Sequence, residues 1–204
     1  MNELNYMTDY SDHIGIIGGG IAGLTLGCAL LKEGIPTVIF EKMPEETSHG
    51  AAISLSSNAL RLLDRLDIYT ELKDQSFIHS EASIQGPQKE ISSFQTPEVL
   101  TTRRQTLMSL LYSRYINLGG EIYHDHDLES FDVVKCEARF TNKNQYNLKH
   151  LAACDGIRSS IRDTFFAANQ DPKYSGYSAW RGIGKSSLQR IHFALGPDSH
   201  IVSY

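Results

Sequence analysis

The sequence predicts an α/β fold in which a Rossmann-like parallel sheet begins with a strand–helix–strand unit and continues as an antiparallel meander. Three observations predict it: an apolar strand-like run at residues 14–17 that ends in glycines, an apolar helical segment at 21–32, and a second buried strand at 37–40. A strand, a glycine turn, a helix and a strand within about thirty residues form a βαβ unit, whose strands are parallel.

Periodicity and turn residues predict the remaining elements. Leucines at helical spacing predict a helix over residues 58–66, and Leu107, Leu110, Leu111 and Leu118 predict another that Gly119-Gly120 ends. Two strand-like runs around Gly86-Pro87 predict an inserted hairpin. The other predicted elements are meander strands at 121–124, 128–134, 136–140 and 146–154, a helix at 157–166, and strand-like segments at 179–183, 190–194 and 201–204.

Composition excludes several classes of protein. The chain has 204 residues, of which 41% are hydrophobic and 21% charged, as in ordinary globular domains. A net charge of −5 without any Lys/Arg run argues against a nucleic-acid partner. Three cysteines without a CxxC pair indicate no disulfide framework and no zinc site, and favour a cytoplasmic location. Residues 14–31 are uncharged, but six of these eighteen are glycine, so we expect no membrane span.

A glycine-rich turn follows the first predicted strand and opens the first helix; it reads Gly18-Gly19-Gly20-Ile21-Ala22-Gly23. In the G-x-G-x-x-G pattern, Gly18 permits the tight turn, Gly20 lets the backbone approach a pyrophosphate, and Gly23 lets helix and strand pack closely. Ile21 and Ala22 belong to the first helical turn, whose N–H groups can bind an anion. The alternative is a plain βαβ turn.

An acidic residue at the end of the second strand strengthens the dinucleotide interpretation. Glu41 follows Gly23 by 18 positions (41 − 23), and a carboxylate there can accept hydrogen bonds from a ribose diol. Strand, helix and acid together favour dinucleotide binding over a plain turn. Lys42 has two open interpretations, contact with the adenosine or a solvated charge.

Together with the glycine loop, four further segments resemble the FAD-dependent aromatic hydroxylases, which are para-hydroxybenzoate hydroxylase-like flavoprotein monooxygenases. In order along the chain they are GAAISLSSNA from Gly50, RRQTL from Arg103, CDGIRSSIR from Cys154 and YSGYSAWRG from Tyr174. Five ordered matches are much more specific than any one of them.

The resemblance implies a role for each matching residue. The three motif glycines would hold the FAD pyrophosphate and Glu41 its adenosine ribose. Arg104 matches an arginine that contacts the cofactor, although it could be a solvated residue at a helix start. Asp155-Gly156 matches a motif associated with both FAD and the nicotinamide cofactor, and Asp155 could also cap the helix predicted from Ile157. Leu128 matches a backbone contact on the adenine side.

The resemblance also implies domains and an activity. Residues 1–75 and 98–170 would form the FAD-binding domain, 76–97 an inserted hairpin of the substrate domain, and 171–204 the start of the substrate-domain sheet. NAD(P)H would reduce FAD, and O2 would then oxygenate an aromatic or related small molecule; no catalytic residue is identified. The family is considerably longer, so we expect an N-terminal half, either a fragment or a natural truncation. A non-catalytic FAD-binding remnant and an FAD-dependent reductase or epoxidase are the alternatives.

Three other features have more than one interpretation. Thr47-Ser48-His49 stands where relatives commonly carry an arginine near the flavin, so either His49 substitutes or the contact is missing. His124-Asp125-His126-Asp127 could hold a metal, but without a third ligand a polar strand end is favoured. Trp180 and the pair Tyr174 and Tyr177 could line a ring pocket, with core positions in the second sheet slightly preferred.

Overall fold

The computed structural model describes residues 8–45, 50–166, 172–185 and 189–204. The chain divides into two compact units, the first comprising Met1–Ser48 and Leu111–Ser178, the second His49–Leu110 and Ala179–Tyr204. In chain order the elements are β1 (Thr8–Ile17), α1 (Ile21–Lys32), β2 (Thr37–Phe40), β3 (Ala52–Ser56), α2 (Ser57–Arg65), α3 (Tyr69–Asp74), β4 (Phe77–Gln85), β5 (Glu90–Arg103), α4 (Arg104–Asn117), β6 (Glu121–Tyr123), β7 (Leu128–Asp132), β8 (Glu137–Phe140), β9 (Gln145–Ala153), α5 (Ser160–Phe165), β10 (Ile191–Leu195) and β11 (His200–Ser203).

The first unit contains a six-stranded sheet in the order β6-β2-β1-β9-β8-β7. Strands β6, β2, β1 and β9 pair in parallel, whereas β7, β8 and β9 form an antiparallel meander. The predicted parallel βαβ unit is confirmed, and the predicted meander is confirmed for β7, β8 and β9. The prediction that residues 121–124 belong to the meander is wrong, because β6 pairs in parallel with β2 at the other edge of the sheet. Because β9 belongs to both parts, its parallel pairing with β1 joins the meander to the βαβ unit.

Aromatic side chains fill the core of the first unit. Phe40 is fully buried, and its ring centroid lies 4.6 Å from that of Phe140 and 4.7 Å from that of Tyr146. On the helical side, Tyr115 of α4 packs against Gly27 of α1, where an added Cβ would lie 2.5 Å from the tyrosine ring. Tyr115 also hydrogen-bonds Thr37 of β2 through its hydroxyl, so it contacts both α1 and the sheet.

The buried thiol of Cys28 in α1 should make the protein less stable at alkaline pH. Cys28 is fully buried and donates to the Leu111 carbonyl oxygen at 3.6 Å. Burial raises the pKa of this thiol from 9.0 to about 11, so the unfolded chain loses this proton at lower pH than the folded one. We expect a stabilisation of roughly 2–3 kcal/mol that is present below pH 9 and lost as pH rises through 11.

Urea unfolding of the wild type and Cys28→Ala at pH 8 and pH 10.5 measures this contribution. As pH rises, the free energy of unfolding should fall less in Cys28→Ala than in the wild type. Buried tyrosines supply the pH dependence that remains in the variant. Equal slopes in the two proteins would show that Cys28 contributes nothing.

The second unit contains a five-stranded sheet in the order β11-β10-β4-β5-β3. Its central pair is the β4–β5 hairpin, which confirms the predicted hairpin around Gly86-Pro87. Leu60 and Leu63 of α2 and Leu72 of α3 are buried. Arg190 forms ion pairs with Glu81 and Glu90, at 2.9 and 2.8 Å, and so ties the start of β10 to both strands of the hairpin.

Several sequence-based expectations differ from the structure. Residues 179–183 are not a strand, and helix α3 was not predicted. The preferred core positions for Tyr174, Tyr177 and Trp180 are wrong, because these side chains are 77%, 85% and 98% exposed. β3 pairs with β5 in the second sheet, so residues 52–56 belong to the second compact unit. Among the described residues, no helix is long and apolar enough to cross a membrane.

Candidate functional site

Three parallel strands of the first unit end side by side, and a predicted site segment follows each of them. Ile17 at the end of β1 is in register with Phe40 of β2 on one side and with Ala153 of β9 on the other. The glycine loop, Glu41 and Asp155-Gly156 therefore lie along one carboxyl edge of the sheet. Ligands of open α/β sheets bind at such edges.

Close packing requires two glycines of the loop. Gly18 has a φ of +104°, and a Cβ there would meet the backbone carbonyl of Cys154. Its N–H donates to the Phe40 carbonyl oxygen at 2.8 Å. A Cβ on Gly23 would meet the backbone carbonyl of Gly18. The loop therefore lies against its neighbouring strands and against α1 too closely for any side chain at these two positions.

Gly20 differs, because the space beside it is open. It is the N-cap residue of α1 in an extended conformation, and an added Cβ would meet nothing within 4 Å. The first turn of α1, which contains Ile21 and Ala22, begins here, and the N–H groups of a first helical turn have no intrahelical acceptor. Open space in front of these donors and the positive end of the helix dipole suits a diphosphate.

The carboxylate of Glu41 lies against the glycine loop. Its Oε2 accepts a hydrogen bond from the Gly19 N–H at 2.6 Å, and its Oε1 accepts one from the Met43 N–H at 2.8 Å. The side chain is half-buried, and the adjacent Lys42 is exposed. A carboxylate held in this way is oriented in advance and keeps acceptor capacity for the hydroxyls of a ribose.

Next to the glycine loop, the turn after β9 lines a cleft of about 420 Å³. Its lining comprises Ala22, Ala153, Cys154, Asp155, Gly156, Ser159, Ile161, Arg162 and Phe166. The helix predicted over 157–166 begins only at Ser160, and Ser159 caps it by accepting from the Arg162 N–H at 3.0 Å. Ser159 rather than Asp155 is therefore the N-cap residue, although the Asp155 carboxylate also accepts a long 3.5 Å bond from the Ile161 N–H in the first turn of this helix.

Two residues with a predicted cofactor contact, Arg104 and Leu128, do not follow any of the three strands whose ends form this edge. Arg104 belongs to the second unit, where its N–H donates to the Ala51 carbonyl oxygen at 2.9 Å and its side chain lies against Gly50. Leu128 is half-buried at the start of β7 and packs against the aromatic core of the first unit. Thr47-Ser48-His49 lies outside the described residues.

Both histidines of the HDHD run have protein partners in the structure. His126 is buried, and its Nε2 lies 2.9 Å from the Tyr146 hydroxyl. His124 Nδ1 lies 3.2 Å from the Met43 carbonyl oxygen. Both residues follow β6 rather than lying on it, so they do not share a strand face. Within the described ranges, no group of three or more His, Cys, Asp or Glu is arranged to hold a metal.

Sequence reasoning missed the contacts that orient the site. Neither the Gly19 N–H bound to Glu41 nor the cap at Ser159 was anticipated. The cap had a readable signal, since a serine at the start of a short helix is a favoured N-cap. The bond between Gly19 and Glu41 had none, because it depends on the register of β1 against β2.

Known proteins match most of the chain. The family described as FAD binding domain matches residues 12–184. Aurachin C monooxygenase/isomerase of Stigmatella aurantiaca is 30% identical over 177 residues, which cover 82% of this chain and 46% of that protein. 3-Amino-4-hydroxybenzoate 2-monooxygenase of Streptomyces cremeus is 26% identical over 220 residues, which cover 97% of this chain and 54% of that protein.

A solved structure agrees with these sequence matches. 2-Methyl-3-hydroxypyridine-5-carboxylic acid oxygenase, in its tetrameric form, superposes with a TM-score of 0.70 at 25% identity, over 76% of this chain and 42% of that one. The chain thus spans about half the length of the curated relatives it matches. A family match over residues 12–184, on a fold whose glycine loop and acid lie at one sheet edge, shows that this chain belongs to the family of FAD-binding domains found in FAD-dependent monooxygenases.

Proposed function

We propose that this chain is the FAD-binding part of an NAD(P)H- and O2-dependent monooxygenase that hydroxylates an aromatic or related small molecule. The observation that carries the proposal is the convergence of the glycine loop, Glu41 and Asp155-Gly156 on one sheet edge. The names of the relatives support the reaction class, since they include monooxygenases of aurachin C and of 3-amino-4-hydroxybenzoate.

Each part of the edge has a proposed role in holding FAD. The N–H groups at Gly20, Ile21 and Ala22 would bind the diphosphate, in the open space in front of α1. Glu41 would accept hydrogen bonds from the adenosine ribose, with Lys42 beside it on the adenosine side. The assignments of Arg104 and Leu128 rest on the family resemblance.

The Asp155-Gly156 turn has a proposed role at the neighbouring cleft. Asp155 would present an acceptor to hydroxyl groups there, while Ala22, Ile161 and Phe166 supply apolar surface to the cleft. When bound, FAD supplies the redox chemistry that neither carboxylates nor amides can perform. The residues of this chain bind the cofactor and orient it.

Two finer proposals concern the reductant and the compartment. NADH or NADPH is the proposed electron donor, in line with the association of the Asp-Gly motif with a nicotinamide cofactor. A cytoplasmic location is supported by the three cysteines, which are all free thiols in the structure.

Titration of the purified chain with FAD, monitored by flavin fluorescence, tests the proposal. Saturable quenching with a bound-flavin absorbance spectrum is expected. A folded chain that shows neither would contradict it. Substrate-stimulated NAD(P)H oxidation would exclude the second candidate, a non-catalytic FAD-binding protein.

Replacing Glu41 by alanine should weaken FAD binding by about 1–3 kcal/mol, because a charge-assisted hydrogen bond to the ribose is lost. Fluorescence titration at constant ionic strength measures the change. Glu33→Ala removes an exposed carboxylate next to α1 and is the matched control. If Glu41→Ala bound FAD as tightly as Glu33→Ala does, the ribose contact would have to lie elsewhere.

A further inference from the structure

We propose that His124 is a positioning residue for Glu41, acting through the backbone of Met43. The inference rests on the proposed function, because it concerns how the ribose-binding carboxylate is held. His124 follows β6, and β6 pairs in parallel with β2, with Tyr123 opposite Phe40. His124 and Glu41 therefore follow adjacent strand ends at one edge of the first unit.

Two hydrogen bonds in series connect the imidazole to the carboxylate. Nδ1 of His124 lies 3.2 Å from the Met43 carbonyl oxygen, and because a carbonyl only accepts, Nδ1 carries the hydrogen. The N–H of Met43 donates in turn to Oε1 of Glu41 at 2.8 Å. The histidine thus holds the turn that orients the carboxylate, and the carboxylate's other oxygen receives the Gly19 N–H.

The backbone around His124 supports the same arrangement. The Glu41 N–H donates to the Tyr123 carbonyl oxygen, and the Glu41 carbonyl oxygen accepts from the His126 N–H, each at 2.9 Å. The segment after β6 therefore fixes the main chain of Glu41 from both sides. The His124 ring reaches beyond the main chain of Glu41, to Met43. This gives the HDHD run a role that requires no metal.

Packing alone does not explain a histidine at position 124, as the surroundings of its Nε2 atom show. Nε2 of His124 is buried and has no hydrogen-bond partner among the residues that the structure describes. The ring stacks beside Tyr112, with centroids 6.4 Å apart and planes at 28°. A buried acceptor without a partner costs stability, whereas a phenylalanine would keep the stacking without that cost. The Nδ1–H bond to Met43 is what phenylalanine cannot replace.

Two substitutions test the donor. His124→Phe removes it and keeps an aromatic ring beside Tyr112, whereas His124→Asn offers an amide N–H close to the position of Nδ1. We expect His124→Phe to weaken FAD binding about 5- to 10-fold in fluorescence titration, as the loss of one orienting hydrogen bond implies, with no loss in Tm. His124→Asn should recover most of the affinity. His150→Phe, at an exposed position on β9, is the control and should bind FAD as the wild type does.

A double-mutant cycle separates positioning from a general effect on the fold. In the Glu41→Ala background, His124→Phe should change the dissociation constant less than about twofold, because there is no carboxylate left to orient. Unchanged affinity in His124→Phe, or an equal loss with and without Glu41, would overturn the inference. If the folded wild-type chain failed to bind FAD, the proposed function itself would fall, so the two failures are distinguishable.

Discussion

Gly20→Val should abolish measurable FAD binding and leave the fold intact. An added side chain at Gly20 meets nothing within 4 Å, and the backbone there is in an ordinary extended conformation. The Cβ of the new side chain therefore meets no protein atom. It fills the space in front of the first turn of α1, where a diphosphate must approach the backbone N–H groups. We expect at least about a 100-fold weaker affinity, equivalent to about 3 kcal/mol, in fluorescence titration.

Gly182→Val is the matched control for this prediction. Gly182 also has nothing within 4 Å of an added Cβ and lies in an exposed segment outside the sheet edge. It should bind FAD with wild-type affinity. Circular dichroism of both variants should give wild-type spectra and melting temperatures within a few degrees of the wild type. Retained FAD affinity in a folded Gly20→Val protein would remove the diphosphate assignment.

Phe40→Ala should strongly destabilise the first unit, because it removes the centre of the aromatic core. The ring is fully buried between Phe140 and Tyr146, and it also stacks on Tyr123 with centroids 5.7 Å apart. Truncation to alanine leaves a cavity between rigid aromatic neighbours. The expected cost is about 3–5 kcal/mol in the free energy of unfolding, measured by urea denaturation.

Phe94→Ala is the corresponding control, since Phe94 is 45% exposed on the second sheet. It should cost much less than Phe40→Ala, because a half-exposed ring leaves no closed cavity. If Phe40→Ala lost no more stability than Phe94→Ala, the aromatic cluster around β2 would not be the core of the first unit.

Local patterns were sufficient to predict the parts of the fold that depend on neighbours in sequence. The βαβ unit followed from a glycine turn between two short apolar strands, and the meander followed from turn residues. The edge positions of Glu41 and the glycine loop followed as well, because the carboxyl ends of adjacent parallel strands must meet. These features are set within about thirty residues.

The features that local patterns did not predict have different physical causes. Pairing of β3 with β5 moves residues 52–56 into the second sheet, and no local pattern distinguishes the two sheets. Trp180 has a large aromatic side chain of the kind that usually lies in a core, but it is 98% exposed. Helix α3 is too short to show the helical spacing of apolar residues from which a helix is predicted. Register likewise determines the bond between Gly19 and Glu41, so no local pattern could predict this contact.

The pairing of β1 with β9 also has a consequence for how the protein is made. Ile17 lies opposite Ala153, so 136 positions of chain (153 − 17) separate the two partners. Contacts between residues so far apart in sequence form slowly, and chains emerge from the ribosome with their N-terminus first. The edge of β1 that pairs with β9 therefore has no partner until most of the first unit has been synthesised. A nascent chain that ends before residue 145 already carries its complete glycine loop, but not the strand against which that loop is built.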